Sequence, residues 1–138
     1  MKKEIIYTSE AGVPRNVPLS QAVKVGDMIY LSSFVGMNSR THKIEGKTIE
    51  EQTRRSIKNC ESVLKAGGST LKDVVRVMVL LKNPRDFDRM NKEYARFFPK
   101  DPPARTVVKI GAHLPNALIS IMMTAVVSDS GAESVLDG

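Results

Sequence analysis

With one cysteine, Cys60, the chain can form no internal disulfide, and a reducing compartment, the cytoplasm, is expected. No run of about 18–20 consecutive apolar residues occurs, so no membrane-spanning helix is predicted and no membrane partner is expected. The opening Met1-Lys2-Lys3-Glu4-Ile5-Ile6 carries charge but not the apolar stretch of a secretory leader. Metal-ligand spacing is missing: His42 and His113 are far apart, and neither has a second ligand at a recognised interval. The G-x-S-x-G, P-loop and G-x-G-x-x-G patterns are absent, so nothing calls for a nucleotide cofactor and none is expected. There is no internal repeat, low-complexity tract or interdomain linker.

What remains is an ordinary globular composition, 41% hydrophobic over 138 residues, which suits one domain. We assign that domain to residues 1–127, followed by a short acidic tail, 128–138, expected to be flexible. The charge is 21 Lys+Arg against 15 Asp+Glu, a net +6. Three of the acids lie in the tail, so the body carries +9 and the tail −3. The bases are scattered, with no run of five or more and no aromatic RNA-binding strand motif. A solvated basic surface is therefore expected rather than a nucleic-acid partner.

Periodicity gives the order β-ββ-α-β-α-ββ. A short strand around Ile5 and Tyr7 precedes a Gly/Pro/Asn loop from Gly12 to Pro18. Leu19–Val25 and Met28–Phe34, separated by Gly26-Asp27, read as a hairpin. Thr48 followed by Glu51 is a capping box. Ile49, Ile57, Cys60 and Leu64 recur at helical spacing until Gly67-Gly68 stops the helix. Val74–Leu81 is an apolar run of the kind found in a strand buried on both faces. Asn83-Pro84 opens a second helix with the stripe Phe87, Met90, Tyr94 and Phe97, ended by Pro99. Strands at 104–110 and 118–127 complete the chain. The expectation is a two-layer α+β domain, about six mixed strands with two helices on one face, and an obligate oligomer to cover the other.

Three features could carry chemistry. Cys60 sits on the apolar helical stripe and reads as a small buried hydrophobe rather than a nucleophile. Ser32-Ser33, at a strand end, can donate hydrogen bonds to a ligand or satisfy that end. Pro102-Pro103-Ala104-Arg105-Thr106 is the most pointed: an arginine at the start of a strand whose first positions are otherwise small or apolar requires an anionic partner. Its planar fork suits a carboxylate, either of a ligand or of a protein ion pair.

Several segments together resemble the Rid (YjgF-like) reactive intermediate deaminases. They are Ser20-Gln21-Ala22-Val23-Lys24-Val25-Gly26 with Ile29-Tyr30-Leu31-Ser32, and Glu51-Gln52-Thr53 through Asn59 to Ala66-Gly67-Gly68. Asp86-Phe87 through Asn91, Tyr94 and Phe97-Phe98, then Pro103-Ala104-Arg105 and Leu114-Pro115, continue the match, which runs from about residue 19 to 127. The resemblance implies a homotrimer of chorismate-mutase-like subunits whose sheets form a central barrel. It implies clefts between subunits that bind small carboxylates and hydrolyse enamines and imines, such as 2-aminoacrylate and 2-iminopropanoate, without a cofactor. In such a cleft Arg105 would clamp the substrate carboxylate and the backbone N–H of Val107 would assist. Asn91 and Tyr94 would be wall residues or packing. The chain departs from the family elsewhere: the glutamate that orients the hydrolytic water reads Ser120, and a second acid reads Met122. Leu19 replaces a tyrosine, and Ser32-Ser33-Phe34 replaces Ser-Gly-Gln. Ser120 can hold a water but is no base near neutral pH, and the apolar replacements suit a bulkier acid. A non-catalytic carboxylate-binding or regulatory protein, and RNA binding or cleavage, are the alternatives. Glu45, in the polar loop, is a candidate for the missing carboxylate.

Overall fold

The Thr48 hydroxyl accepts from the Glu51 backbone N–H while the Glu51 carboxylate returns to the Thr48 backbone N–H, so the longer helix, α1 (Ile49–Ala66), begins at the expected capping box. Its stripe of Ile49, Ile57, Cys60 and Leu64 is fully buried. Gly67 caps its C-terminus, and Gly68 takes the left-handed turn at φ 84°. In the computed structural model, residues 1–109 and 114–129 are described; His113, Ile110 and most of the acidic tail lie outside them.

The strands are β1 (Lys3–Ile6), β2 (Ala22–Val25), β3 (Met28–Leu31), β4 (Phe34–Val35), β5 (Val74–Leu81), β6 (Ala104–Lys109) and β7 (Ile119–Val126). They form one mixed sheet in the order β1-β2-β3-β7-β5-β6, with β4 also on β7. Only β5 and β6 pair in parallel. Gly26, at φ 57°, makes the β2–β3 turn, a backbone state that an L side chain takes with strain. Asn83 caps a single 3₁₀ turn, its side chain accepting from the Arg85 N–H, before the second helix, α2 (Phe87–Ala95).

The hairpin differs from the expectation in two ways. Its first strand starts at Ala22, leaving Leu19 in the preceding loop. Its second strand breaks at Ser32-Ser33: Met28 to Tyr30 lie opposite Val126 to Thr124, but Phe34 lies opposite Ile121, a shift of one residue. Because side chains alternate with period two, one extra residue moves everything after it to the other face. Phe34 is thereby turned into the core, 1% exposed, rather than lining a cleft. This break gives the sheet a seventh strand.

Both helices lie on one face of the sheet, over Val77, Val79, Leu81, Ile121 and Met123. Of the expected α2 stripe, Met90 and Tyr94 are buried, Phe97 packs partly buried against the core, and Phe87 is exposed; Phe98, beyond the helix, is buried as well. The run Val74–Leu81 is buried on one face only within the chain, since Met78 and Leu80 of the other face are partly open. That second face continues with Val23, Tyr30, Met122 and Val108. No helix among the described residues is long and apolar enough to cross a membrane.

Candidate functional site

Pro102 and Pro103 lead into β6, the edge strand beyond β5. Arg105 lies in register with the core residue Val77, and Val107 with Val79, which puts both on the helix-bearing face. There the Arg105 guanidinium lies over the ring of Tyr94 from α2, with Cζ 4.8 Å from the ring centroid. The Tyr94 ring is itself tilted 34° against Phe98, centroids 4.8 Å apart. Among the described residues, no carboxylate lies within ion-pair reach of Arg105. The protein ion pair left open by the sequence is therefore not found there. As an edge strand, β6 also has backbone N–H and C=O groups with no ladder partner among the described strands.

Tyr94 and Asn91 sit one helical turn apart and behave alike. The Tyr94 hydroxyl and the Asn91 Oδ1 are buried without a hydrogen-bond partner among the described residues. Burial pushes the Tyr94 phenol up to about 12, against the opposing pull of Arg105, so it stays a neutral donor at physiological pH. Buried polar groups are normally satisfied, which makes these two worth explaining.

The serines form a separate group. Ser120 lies opposite Leu80, on the sheet face away from the helices, and its hydroxyl hydrogen-bonds that of Ser33. The Ser32 hydroxyl donates to the Ser20 carbonyl at 2.6 Å, so it satisfies the strand end. Leu19 is 44% exposed in its loop. Arg105, Val107, Tyr94 and Asn91 thus belong with the helices, and Ser33 and Ser120 with the open face. Glu45 joins neither group. It lines a polar cleft of about 230 Å³ with Gly36, Asn38, Arg54, Arg55 and Lys58.

Cys60 is fully buried, its thiol pushed up by desolvation, and its Sγ contacts the Ile121 carbonyl. It is a core residue, as expected. His42 is held by its Nδ1 to the Val13 carbonyl at 3.0 Å. No group of three or more metal-ligating side chains occurs among the described residues.

Two buried polar residues of α1 escaped the sequence reading. Gln52 donates to the Gly46 and Asn116 carbonyls and accepts from the Leu118 N–H. Asn59 accepts from the Gly12 N–H and donates to the Val35 and Met37 carbonyls. The available signal was two amides seven residues apart on the helix face that also holds Thr53 and Ser56. They anchor the loops around residues 12, 35–37, 46 and 116–118, a structural task.

A mixed sheet carrying two helices on one face defines the class as a two-layer α+β domain. A family profile described as Endoribonuclease L-PSP matches residues 12–127. A RutC family protein of Saccharolobus solfataricus is 44% identical over 123 residues, 89% of this chain and 97% of that protein. The 2-iminobutanoate/2-iminopropanoate deaminase of Dermatophagoides farinae is 35% identical over 91% of this chain and 97% of that one. Among solved structures, Escherichia coli TdcF with bound serine superposes with a TM-score of 0.83 at 26% identity, covering 91% of this chain and 99% of that one. The chain belongs to this Rid and RutC family of Endoribonuclease L-PSP domains.

Proposed function

We propose that this protein hydrolyses enamine and imine acids of the 2-aminoacrylate and 2-iminopropanoate type to 2-oxo acids and ammonia. The reaction needs no cofactor: an enamine takes a proton at its β-carbon to become the iminium, and water adds to the electrophilic iminium carbon. The proton of the new hydroxyl moves to nitrogen as the C–N bond breaks, leaving the 2-oxo acid and ammonia. The observation that carries this reading is Arg105, half-buried over Tyr94 on an edge strand with no acidic partner among the described residues. Its planar fork can then take the substrate carboxylate in bidentate fashion, with the Val107 backbone beside it. The deaminase name of the Dermatophagoides relative and the serine bound by TdcF support a small amino- or imino-acid ligand.

The open sheet face supports the second half of the proposal, a homotrimer whose sheets meet at its centre, with clefts at the subunit boundaries. Met78, Leu80, Met122 and Val108 would then be covered by another copy. Arg105 and Ser120 face opposite sides of the sheet in one chain, so a cleft that uses both would draw them from different copies. Ser120, with Ser33, would hold the water there without acting as its base. A cytoplasmic setting suits a chain whose one thiol is buried and unpaired.

Ammonia release from 2-aminoacrylate generated in situ tests the activity. We expect acceleration over buffer that Arg105→Ala abolishes. No acceleration, and no effect of the substitution, would refute hydrolysis of this substrate. The serine hydroxyls at the position of the family glutamate favour a second reading, carboxylate binding without turnover. Saturable binding of 2-oxo acids with no ammonia release is its signature. RNA retention that falls steeply with salt would instead support the RNA-binding alternative.

A further inference from the structure

An arginine that waits for its ligand needs something to hold it. The side chain carries rotamer entropy, part of which is lost when a bidentate geometry is fixed. At Arg105 no acid among the described residues confines the guanidinium, but an aromatic face does. The 4.8 Å separation from the Tyr94 centroid is well inside the roughly 6 Å range of a cation–π contact, which strengthens when desolvated. The ring is 5% exposed and is backed by Phe98, so it cannot turn away from the contact. A guanidinium held by a cation–π contact rather than by a carboxylate keeps N–H donors for another partner.

The Tyr94 hydroxyl points to the same role. It is buried and has no hydrogen-bond partner among the described residues. Two ion pairs show how α1 and α2 lie: Glu50 with Arg89 and Arg54 with Glu93 are both 39 residues apart. A constant offset means that the helices run parallel. Thr53 with Asn91, and Ser56 with Tyr94, are each one residue short of that offset, and all four have a buried polar atom with no hydrogen-bond partner among the described residues. Groups at matching levels of two parallel helices can share hydrogen bonds through water.

We propose that Tyr94 is a positioning residue for Arg105: its ring, backed by Phe98, holds the guanidinium ready for a ligand. What the guanidinium then binds rests on the carboxylate reading above; the positioning itself does not.

Side-chain NMR of the full chain tests the positioning without any ligand. The Arg105 Nε–Hε signal should be displaced by the Tyr94 ring current and should show restricted motion. Tyr94→Phe, which keeps the ring, should preserve the displacement; Tyr94→Leu should abolish it and free the side chain. An undisplaced, mobile Arg105 signal in the unsubstituted protein overturns the proposal, and that measurement needs no variant to fold. For function, pyruvate and the uncharged pyruvamide serve as probes. Tyr94→Leu should weaken pyruvate about tenfold, leave pyruvamide unchanged, and have no further effect when added to Arg105→Ala. Equal losses for both probes would mean general damage and would also overturn it. If the unsubstituted protein binds no pyruvate while the Arg105 signal is displaced, the carboxylate reading fails and the positioning stands.

Discussion

Arg105 and Ser120 stand on opposite faces of one sheet, separated by β5, which pairs with both of their strands. Their roles therefore separate in experiment. Arg105→Lys keeps the charge but loses the fork, and we expect a 10- to 100-fold loss of affinity for a small carboxylate, from roughly 1.5–3 kcal/mol of charge-assisted hydrogen bonding. Titration calorimetry with pyruvate measures it. Affinity unchanged in the lysine variant would contradict a bidentate clamp.

Ser120 tests whether a lost carboxylate limits turnover. A positioned acid–base group is typically worth about 10²–10⁴ in rate. Ser120→Glu should therefore raise kcat for 2-aminoacrylate by about a hundredfold or more, with little change in KM. Ser120→Ala should change kcat by less than about tenfold, since it removes only a hydrogen bond. A glutamate variant that folds and gains nothing argues for the binding-protein reading.

The open sheet face makes a prediction about assembly. Met78→Glu and Met122→Glu place charges opposite each other on that face. If other copies cover it, each variant should sediment as a monomer while the unsubstituted chain sediments as a trimer, because an unpaired buried charge is strongly unfavourable. A monomeric unsubstituted chain at micromolar concentration would exclude the barrel.

Asn59 governs the loops. Its amide satisfies the Gly12 N–H and two carbonyls of the segment 35–37, and a Cβ at Gly12 would meet the Met37 carbonyl oxygen at 2.1 Å. Asn59→Ala leaves the Gly12 N–H and the Met37 carbonyl without partners, at about 1–3 kcal/mol each, while the Val35 carbonyl keeps the Met37 N–H. A fall in Tm on the order of 10 °C is expected. A fall below about 3 °C would show that water replaces the amide.

Acid should loosen the start of α1. The Arg89 guanidinium holds the Glu50 carboxyl below its usual value, and the Thr48 hydroxyl does the same for Glu51. A carboxyl lowered on folding contributes stability above its unfolded value, and that contribution disappears as pH falls through the folded one. Tm should therefore fall as pH drops below about 4.5, and Glu50→Gln and Glu51→Gln should each flatten the fall. A melting curve equally steep in both variants would show that other carboxylates set the acid response.

Much of the architecture was legible because local chemistry and tertiary demand agree. Thr48 and Glu51 start α1, Asn83 caps the turn before α2, and Gly26 makes the hairpin turn, each through a bond or dihedral within a few residues. The family was legible for a related reason, since motifs from Ser20 to Leu114-Pro115 keep their order and spacing. Arg105 stood out as a charge at the head of a strand that otherwise opens on small or apolar residues.

Other features depend on partners far away in the chain. The one-residue slip at Ser32-Ser33 is set by where β3 and β4 meet β7, some 90 residues later, and it alone decides that Phe34 is core. Gln52 and Asn59 look like interruptions of a stripe until the loops they bind fold over them. Sequence by itself determined the elements, their order, the family and the arginine, because those are written in short-range pattern. Only the tertiary structure decided which face each residue takes. It set Arg105 over Tyr94, with no acid among the described residues, and Ser120 behind the sheet. Strand register and helix packing are long-range choices that no local spacing encodes.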